Sequence, residues 1–380
     1  MKYIKLIILS LITLTSGGCI TQFIPETDED QDLIVVEGLI TDQPEVNTVK
    51  VSRSLPLGLK NTAKPVKGCI VTIIDESGKS YTLTEKVTGT YVTDPAKFRG
   101  TVGKRYKLRV FLNNKGIYNY TYESLPMELK PVPPIDTVYY EKTVIRPKVD
   151  GIQGVDGCQV YVETHDPTAK TRFYRWDFNE TWEFRLPFSK PVNHTCWITT
   201  NGSVINVKST AILAEDRIKR YPLHFIASET DRLKVKYSIL VNQYSLNEDE
   251  FDYWEKLQNI TEEVGSLYDI TPAAVPSNIY CIDNPSEKVL GYFSVSSKTS
   301  KRLFIKDYFA GIINLYTECI SDTIFGSQPI PGLNSNIWVL EDFPPPENSP
   351  SYKVVTTTRG CADCTTRGTI TEPAFWRDGK

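Results

Sequence analysis

Histidine and methionine are scarce in this sequence, which has 3 His and 2 Met among 380 residues. None of the histidines, His165, His194 and His224, lies in an H-E-x-x-H pattern or near the C-x-x-C pair, so a catalytic zinc spacing is missing. The chain also lacks a G-x-S-x-G nucleophile elbow, a phosphate-binding loop and a dinucleotide-binding glycine pattern. We therefore predict a protein that is not an enzyme, with no catalytic residue, metal ligand or cofactor. A hydrolase with a carboxylate pair stays open, because such a pair meets only in the fold.

Basic charge is not in excess either. Lys and Arg number 43 against 46 Asp and Glu, for a formal net charge of -3. Binding to the phosphate backbone of DNA or RNA depends on a broad basic surface. The composition therefore excludes a nucleic acid as the expected partner.

The apolar run near the N-terminus is too short to cross a membrane as a helix, which needs roughly 20 apolar residues. Residues 6–14 follow two lysines and lead through small residues to Cys19. This pattern predicts a signal peptide over residues 1–18 and resembles the lipobox of bacterial lipoproteins, whose cysteine is acylated. Several acyl chains, palmitate among them, would hold the chain on a bilayer, since each buried CH₂ contributes about 0.8 kcal/mol. An ordinary cleaved signal with an unmodified Cys19 is the alternative.

The segment that follows the cysteine is polar and acidic. Residues 19–32 contain the run Glu26-Thr27-Asp28-Glu29-Asp30-Gln31-Asp32. Such a run cannot bury enough apolar surface to fold, so we predict a solvated tether between membrane and folded chain.

Tyrosine, proline and glycine are abundant, with 21 Tyr, 24 Pro and 22 Gly. This composition is typical of short strands joined by turns and predicts a mainly β fold. From residue 33 to about 130, alternating apolar and polar residues mark about seven strands. In the last of them, Tyr106, Leu108 and Val110 share one face. We predict an N-terminal immunoglobulin-like or transthyretin-like β-sandwich over residues 33–130.

A proline-rich linker follows at residues 131–134, because proline cannot donate to a sheet. Residues 135–380 are predicted to form a larger β-rich C-terminal domain. In one of its strands Tyr174, Trp176 and Phe178 share a face. An aromatic row can stack on a sugar, but a row that alternates with charged residues more often forms a wall of the core, which is our interpretation.

One amphipathic helix is predicted in this domain, over residues 246–264. Ser245 and Glu248 have the spacing of a capping box at its start. Tyr253 and Leu257 fall at helical spacing and are expected to pack on the second sheet. The acidic outer face is a candidate docking surface, or simply a solvated face.

Cysteine accounts for 8 residues. Cys69 alternates with the apolar residues of a strand and is predicted to be a buried free thiol. The six disulfide candidates are Cys158, Cys196, Cys281, Cys319, Cys361 and Cys364. We expect pairing within the first two and within the last four, with connectivity undetermined. A zinc site in the last four is the alternative, although the chain has one C-x-x-C rather than two and the expected compartment is oxidising.

Short motifs along nearly the whole mature chain resemble a family of Bacteroidota lipoproteins known as domain of unknown function 4249. In chain order they are Val36-Glu37-Gly38-Leu39-Ile40-Thr41-Asp42, Val51-Ser52-Arg53-Ser54, Gly68-Cys69-x-Val71-x-Ile73, Ile135-Asp136-Thr137-Val138, Tyr174-Arg175-Trp176, Glu180-Thr181-Trp182-Glu183, Tyr280-Cys281, Val289-Leu290-Gly291-Tyr292-Phe293, Cys361-x-Asp363-Cys364 and Phe375-Trp376. Cys69 departs from the alanine usual at that position. The acidic run behind Cys19 also resembles the surface-export signal of lipoproteins of that phylum.

The resemblance implies an outer-membrane lipoprotein, often encoded beside a TonB-dependent receptor, with no established ligand. We expect a lipid-anchored, non-catalytic accessory or ligand-binding partner of such a receptor barrel in nutrient uptake. It would face the cell surface, with the periplasmic face as the alternative. The other functions considered are a carbohydrate or peptide hydrolase and a structural or adhesive envelope protein.

Overall fold

The computed structural model describes residues 33–54, 64–113, 119–145, 154–263, 275–309, 319–325, 337–343 and 351–379. The predicted signal peptide, Cys19 and the acidic tether lie outside these residues. The described chain is mainly β, as predicted. Its strands, in chain order, are β1 (Ile34–Ile40), β2 (Thr48–Arg53), β3 (Lys64–Pro65), β4 (Ile70–Asp75), β5 (Ser80–Thr82), β6 (Thr84–Val87), β7 (Thr90–Val92), β8 (Arg105–Asn113), β9 (Asn119–Ser124), β10 (Met127–Glu128), β11 (Ile135–Ile145), β12 (Val155–His165), β13 (Phe173–Arg185), β14 (Thr195–Asn201), β15 (Asn206–Ser209), β16 (Arg217–Ala227), β17 (Lys236–Ser245), β18 (Ile279–Cys281), β19 (Val289–Leu290), β20 (Phe293–Val295), β21 (Lys298–Ile305), β22 (Ser321–Phe325), β23 (Trp338–Phe343) and β24 (Tyr352–Thr356).

The first ten strands form two sheets that enclose the first core. One sheet has the order β19-β1-β2-β7-β6, with β20 beside β1 and β3 beside β2. The other has the order β18-β9-β8-β4-β5, with β10 beside β8. Tyr106, Leu108 and Val110 of β8 point into this core, each at most 3% exposed, as the alternation in the sequence predicts.

Three short strands from beyond the predicted boundary complete these sheets. β19 and β20 run parallel to β1, and β18 pairs with β9. Gly291 separates β19 from β20 at φ +89, and a Cβ there would lie 2.2 Å from the Val36 carbonyl oxygen. Only glycine fits such a close backbone approach, so this residue lets the chain kink and present Tyr292 beside β1.

A second pair of sheets encloses the second core. β11-β12-β16 faces the sheet β14-β13-β17-β21, in which β15 also pairs with β13. Tyr174, Trp176 and Phe178 of β13 are 0–2% exposed within this core. The interpretation of the aromatic row as core is confirmed.

The predicted helix is present, but it begins at Glu248 rather than at the predicted residue 246. Helix α1 spans Glu248–Glu263, and the predicted capping box is wrong. Ser245 is still the last residue of β17, and its hydroxyl donates to the Lys130 carbonyl at 2.7 Å. Asn247, not Ser245, precedes the helix. The residue that follows the described helix, Val264, and all later ones to 274 lie outside the described residues.

Helix α1 contacts both halves of the structure. Phe251 packs with Tyr244 and Val207 of the second half, whereas Tyr253 belongs to the first core, against which Leu257 also packs. The expectation that the helix packs on the second sheet alone is therefore incomplete. The helix joins the two sandwiches.

Two disulfides tie the C-terminal part of the chain together. Cys196 of β14 bonds Cys364, and Cys319 bonds Cys361. A third sheet, β22-β24-β23, lies here with the short helix α2 (Arg359–Ala362) and the 3₁₀ helices Cys364–Thr366 and Ala374–Gly379. The two cysteines of the C-x-x-C pair thus bond different partners, one of them in an edge strand of the second sandwich.

Cys158 and Cys281 were expected in disulfides, and the structure corrects this. Both are buried free thiols, as is Cys69. Cys158 lies in the second core and Cys281 in the first, so they do not bond each other, and the other four cysteines are already paired in the two disulfides. The predicted grouping by sequence position fails because Cys196 of the first group bonds Cys364 of the second. The strand carrying Cys281 also belongs to the first sandwich.

We expect the three free thiols to be inert in the folded protein. Burial raises the pKa of all three, that of Cys158 to about 12, which leaves almost no thiolate at neutral pH. For the chain from residue 20 onward, titration with an aromatic disulfide reagent should count no thiol in buffer and three in denaturant. Any thiol that reacts quickly in buffer would contradict the described burial.

Candidate functional site

The candidate site is a cleft between the two sandwiches, with helix α1 along one side. Its volume is about 320 Å³. Strands β1 and β2 form one wall of the cleft, and β13 forms the opposite wall. Helix α1 and the β19–β20 segment close one end. Its lining residues are Glu37, Gly38, Leu39, Thr48, Lys50, Arg175, Asp177, Tyr253, Trp254, Tyr292 and Ser294. We call this region the junction cleft.

Arg175 is the central cation of the junction cleft. It lies on the face of β13 opposite the buried aromatic row, because side chains of a strand alternate between its faces. The guanidinium carbon is 4.6 Å from the ring centre of Tyr244 and 4.4 Å from that of Trp254. Such contacts attract the cation to the ring faces and hold the guanidinium between them.

Three buried polar atoms at the junction cleft have no hydrogen-bond partner within the described chain. They are Nε of Arg175, the indole nitrogen of Trp254 and the hydroxyl of Tyr292. The Arg175 side chain is 13% exposed, and Tyr292 is 5% exposed. A buried donor without a partner is costly, about 1–3 kcal/mol, so such atoms mark a position where a polar ligand group would be stabilised.

The nearest carboxylate does not neutralise Arg175 by a hydrogen bond. Asp177 Oδ2 is 3.7 Å from Arg175 Nη2, beyond hydrogen-bond distance. Asn242 instead donates its amide to Asp177 Oδ1 at 2.8 Å. Arg175 and Asp177 therefore form an ion pair without a direct hydrogen bond, and Nε of Arg175 keeps its donor for a ligand.

The opposite wall carries a second pair of opposite charges. Glu37 and Lys50 are partners across the β1–β2 ladder, and both are exposed. With Arg175 and Asp177 they give the junction cleft two cations and two anions. Ligands with both charges are therefore better matched than ions of one sign.

Glu250 of the first turn of α1 lies beneath this site and is fully buried. The serine hydroxyl of Ser296 donates to its carboxyl at 3.3 Å. Burial raises the pKa of Glu250, and a hydrogen bond from Ser294 together with the Arg175 charge offsets only part of that rise. The acidic first turn, predicted as an outer face, thus turns one carboxyl inward.

The raised pKa predicts a pH dependence of stability. Protonated Glu250 favours the folded state, so its contribution is present at low pH and is lost as pH rises through the folded-state pKa. Glu250→Gln cannot ionise. The free energy of unfolding of this variant, relative to the unsubstituted protein, should therefore increase from below the ordinary pKa of 4.5 to neutral pH.

Urea unfolding of both proteins across this pH range measures the effect. Glu248→Gln, at an exposed position of the same helical turn, serves as control and should leave the profile unchanged. Parallel pH profiles for Glu250→Gln and the unsubstituted protein would contradict the prediction.

A second cluster of titratable groups surrounds Glu180 in the second sandwich. Its carboxyl accepts hydrogen bonds from Tyr237 at 2.7 Å and Thr200 at 3.1 Å, and Arg232 lies 3.1 Å away. His224 Nε2 is 3.5 Å from Glu180. Burial would raise the pKa of Glu180, but these partners outweigh it and the pKa is lowered. An ionised carboxylate with its lone pairs occupied is a poor general base, so this cluster is structural.

The other histidines show no site. His165 forms a pair with Asp136 at 2.7 Å on the surface, and His194 contacts the hydroxyl of its neighbour Thr195. Across the described parts of the chain, no group of three or more His, Cys, Asp or Glu side chains is arranged to hold a metal ion. Cys19, the predicted lipidation site, lies outside the described residues.

Sequence reasoning missed the junction cleft. It considered the aromatic row of β13 as a ligand platform, whereas the accessible side of this strand is the opposite one, with Arg175 and Asp177. Trp254 and Tyr292, which complete the site, lie on elements about 80 and 120 positions away along the chain. The available signal was the charged residues Arg175 and Asp177, which alternate with the aromatic row along β13. A strand face exposed to solvent has the same pattern.

A family model described as a domain of unknown function, DUF4249, matches residues 20–302. This range includes every residue that lines the junction cleft. No curated protein matches the chain.

Proposed function

Since the chain belongs to the DUF4249 family, a domain of unknown function, we propose its function from its own residues: a non-catalytic, ligand-binding lipoprotein of the outer membrane that assists a TonB-dependent receptor in nutrient uptake. The junction cleft carries the binding part of this proposal. It places partnerless donors and aromatic side chains between two sandwiches, as small-molecule sites do. Its lining contains no histidine and no cysteine.

The membrane part of the proposal is supported by the sequence pattern around Cys19. Among the described helices, none has the length and apolar character needed to cross a membrane. A lipidated Cys19 would attach the chain to the bilayer, and the acidic residues 19–32 would space the sandwiches from it.

Attachment is tested by Cys19→Ser. Serine has no thiol to acylate, so we expect the variant to be lost from the outer-membrane fraction. Mass spectrometry of the unsubstituted protein should find a diacylated or triacylated N-terminal cysteine. An unmodified cysteine there, or normal outer-membrane recovery of the variant, would refute the anchor.

The receptor partnership is supported by what the family resemblance implies and is tested by affinity purification. We expect a tagged chain, extracted from outer membranes in mild detergent, to recover a TonB-dependent barrel in near-equal amount. An unrelated outer-membrane lipoprotein as bait controls for carry-over. Repeated absence of the barrel would remove the partnership from the proposal.

A further inference from the structure

We propose that the junction cleft binds the carboxylate of a free amino acid or short peptide, with the Arg175 guanidinium as its partner. This inference rests on the proposed ligand-binding function and adds the chemical class of the ligand. Four observations carry it: the orientation of Arg175, its free donors, the charge balance of the walls and the size of the space.

Arg175 is oriented before any ligand arrives. Tyr244 and Trp254 lie within 4.6 Å of its guanidinium carbon. A guanidinium held in this way presents its N–H donors in a fixed plane, which matches the two oxygens of a carboxylate. Little side-chain entropy then remains to be lost on binding.

Nε of Arg175 lacks a partner that could compete with a ligand. It has no hydrogen bond within the described residues, and the Asp177 carboxylate lies 3.7 Å from Nη2. The hydroxyl of Tyr292 is likewise without a partner and lies at the same cleft. Each of these groups can donate to a ligand carboxylate.

The charges of the walls select against other anions. Glu37 and Asp177 would repel a phosphate ester, which concentrates nearly two negative charges. A zwitterion avoids this cost, because its ammonium group can approach Glu37 or Asp177 while its carboxylate meets Arg175 or Lys50. A simple cation is disfavoured in turn, because Arg175 occupies the aromatic surfaces that would attract it.

The size and walls of the cleft fit a small amphiphilic molecule. A volume of about 320 Å³ is at the lower end of the range for small-molecule sites. The rings of Tyr253 and Tyr292 lie at one end with their centres 4.6 Å apart and their planes tilted by 33°. These rings would cover an apolar side chain of the ligand.

Isothermal titration calorimetry on the mature chain tests the inference. The probes are the individual protein amino acids, dialanine, phenylalanyl-alanine, and the C-terminal amide of each. We expect at least one free acid to bind, and its amide to bind about ten- to hundredfold more weakly, since a charge-assisted hydrogen-bonded pair is lost. This comparison needs no substitution, so it stands even if a variant fails to fold.

Arg175→Gln gives the second comparison and should weaken binding of the free acid by a similar factor. Arg105→Gln removes the same charge from an exposed position on the first sandwich and should bind normally. Circular dichroism checks that both variants fold.

Three results would overturn the inference: no binding by any free acid at millimolar concentration, equal binding of acid and amide, or normal binding by folded Arg175→Gln. These outcomes are separate from those of the receptor test. Recovery of a barrel with no acid-selective binding would refute the ligand class alone. Acid-selective binding without a barrel would refute the partnership alone.

Discussion

Replacing Cys196 and Cys364 together by alanine is expected to lower the free energy of unfolding by about 2–5 kcal/mol. This disulfide closes a loop of 168 positions in sequence, and a cross-link over a long loop removes much of the entropy of the unfolded chain. It also joins the edge strand β14 to the C-terminal segment. Both sulfur-bearing residues are 0% exposed, so alanine leaves a small cavity as well.

The matched control is the double substitution Cys319→Ala with Cys361→Ala, whose disulfide spans 42 positions. Loop-closure entropy grows only with the logarithm of loop length, so its loss should cost about 1 kcal/mol less. Urea unfolding monitored by tryptophan fluorescence gives both values. Equal midpoints for the first variant and the unsubstituted protein would show that this bond contributes nothing to stability.

Trp176→Ala is expected to cost about 3–5 kcal/mol of unfolding free energy. Trp176 is 1% exposed, and its ring centre lies 4.7 Å from that of Tyr221 on the facing sheet. Its indole N–H donates to the Gln243 side chain at 2.9 Å. Gln243 in turn donates to the Pro133 carbonyl of the proline-rich segment and to Thr164 of β12. The substitution therefore removes a large buried ring. It also leaves the side-chain oxygen of Gln243, which accepts from Trp176, without its donor.

Trp176→Phe separates these two effects. It keeps most of the ring but removes the hydrogen bond, so its cost should be smaller, nearer the 1–3 kcal/mol of one unsatisfied buried polar group. Urea unfolding of the three proteins measures the two differences. If Trp176→Ala cost less than 1 kcal/mol, the aromatic row would not be the wall of the core that its burial indicates.

The junction cleft also bears on how ligand binding would act on the molecule. Its two walls belong to different sandwiches, and helix α1 contacts both cores. A ligand that contacts both walls would stabilise their contact by mass action, by an amount that grows with its concentration relative to Kd. Thermal unfolding with and without an amino acid or dipeptide that binds in calorimetry should therefore show a rise in Tm.

Much of the fold could be predicted because its signals are local. The alternation of Tyr106, Leu108 and Val110 places a strand with one buried face, and the same two-residue period identifies the aromatic row of β13. Helix α1 follows from its periodicity over several turns. The start of the helix was misplaced because a serine can either cap a helix or end a strand. Ser245 pairs with Tyr174 in the sheet, so it belongs to β17.

The disulfide pattern and the cleft could not be predicted because they depend on which distant elements meet. Cys158 and Cys281 have the same sequence character as the cysteines that pair, yet they lie in different cores and remain free thiols. The acidic face of the helix was interpreted as a docking or a solvated surface, whereas Glu250 of its first turn is buried. Its burial arises from contact with β20 and the segment after it.

By itself, therefore, the sequence determined the mainly β class, the burial of the aromatic row and of Cys69, and the resemblance to the family, because periodicity and short motifs are properties of neighbouring residues. The tertiary structure alone decided that residues 279–295 complete the first sandwich, that Cys196 bonds Cys364, and that Arg175 faces Glu37 across a cleft. The physical reason is that the charged face of a strand has the same sequence pattern whether it is exposed to solvent or faces another sheet. Only the packing of the two sandwiches distinguishes these cases.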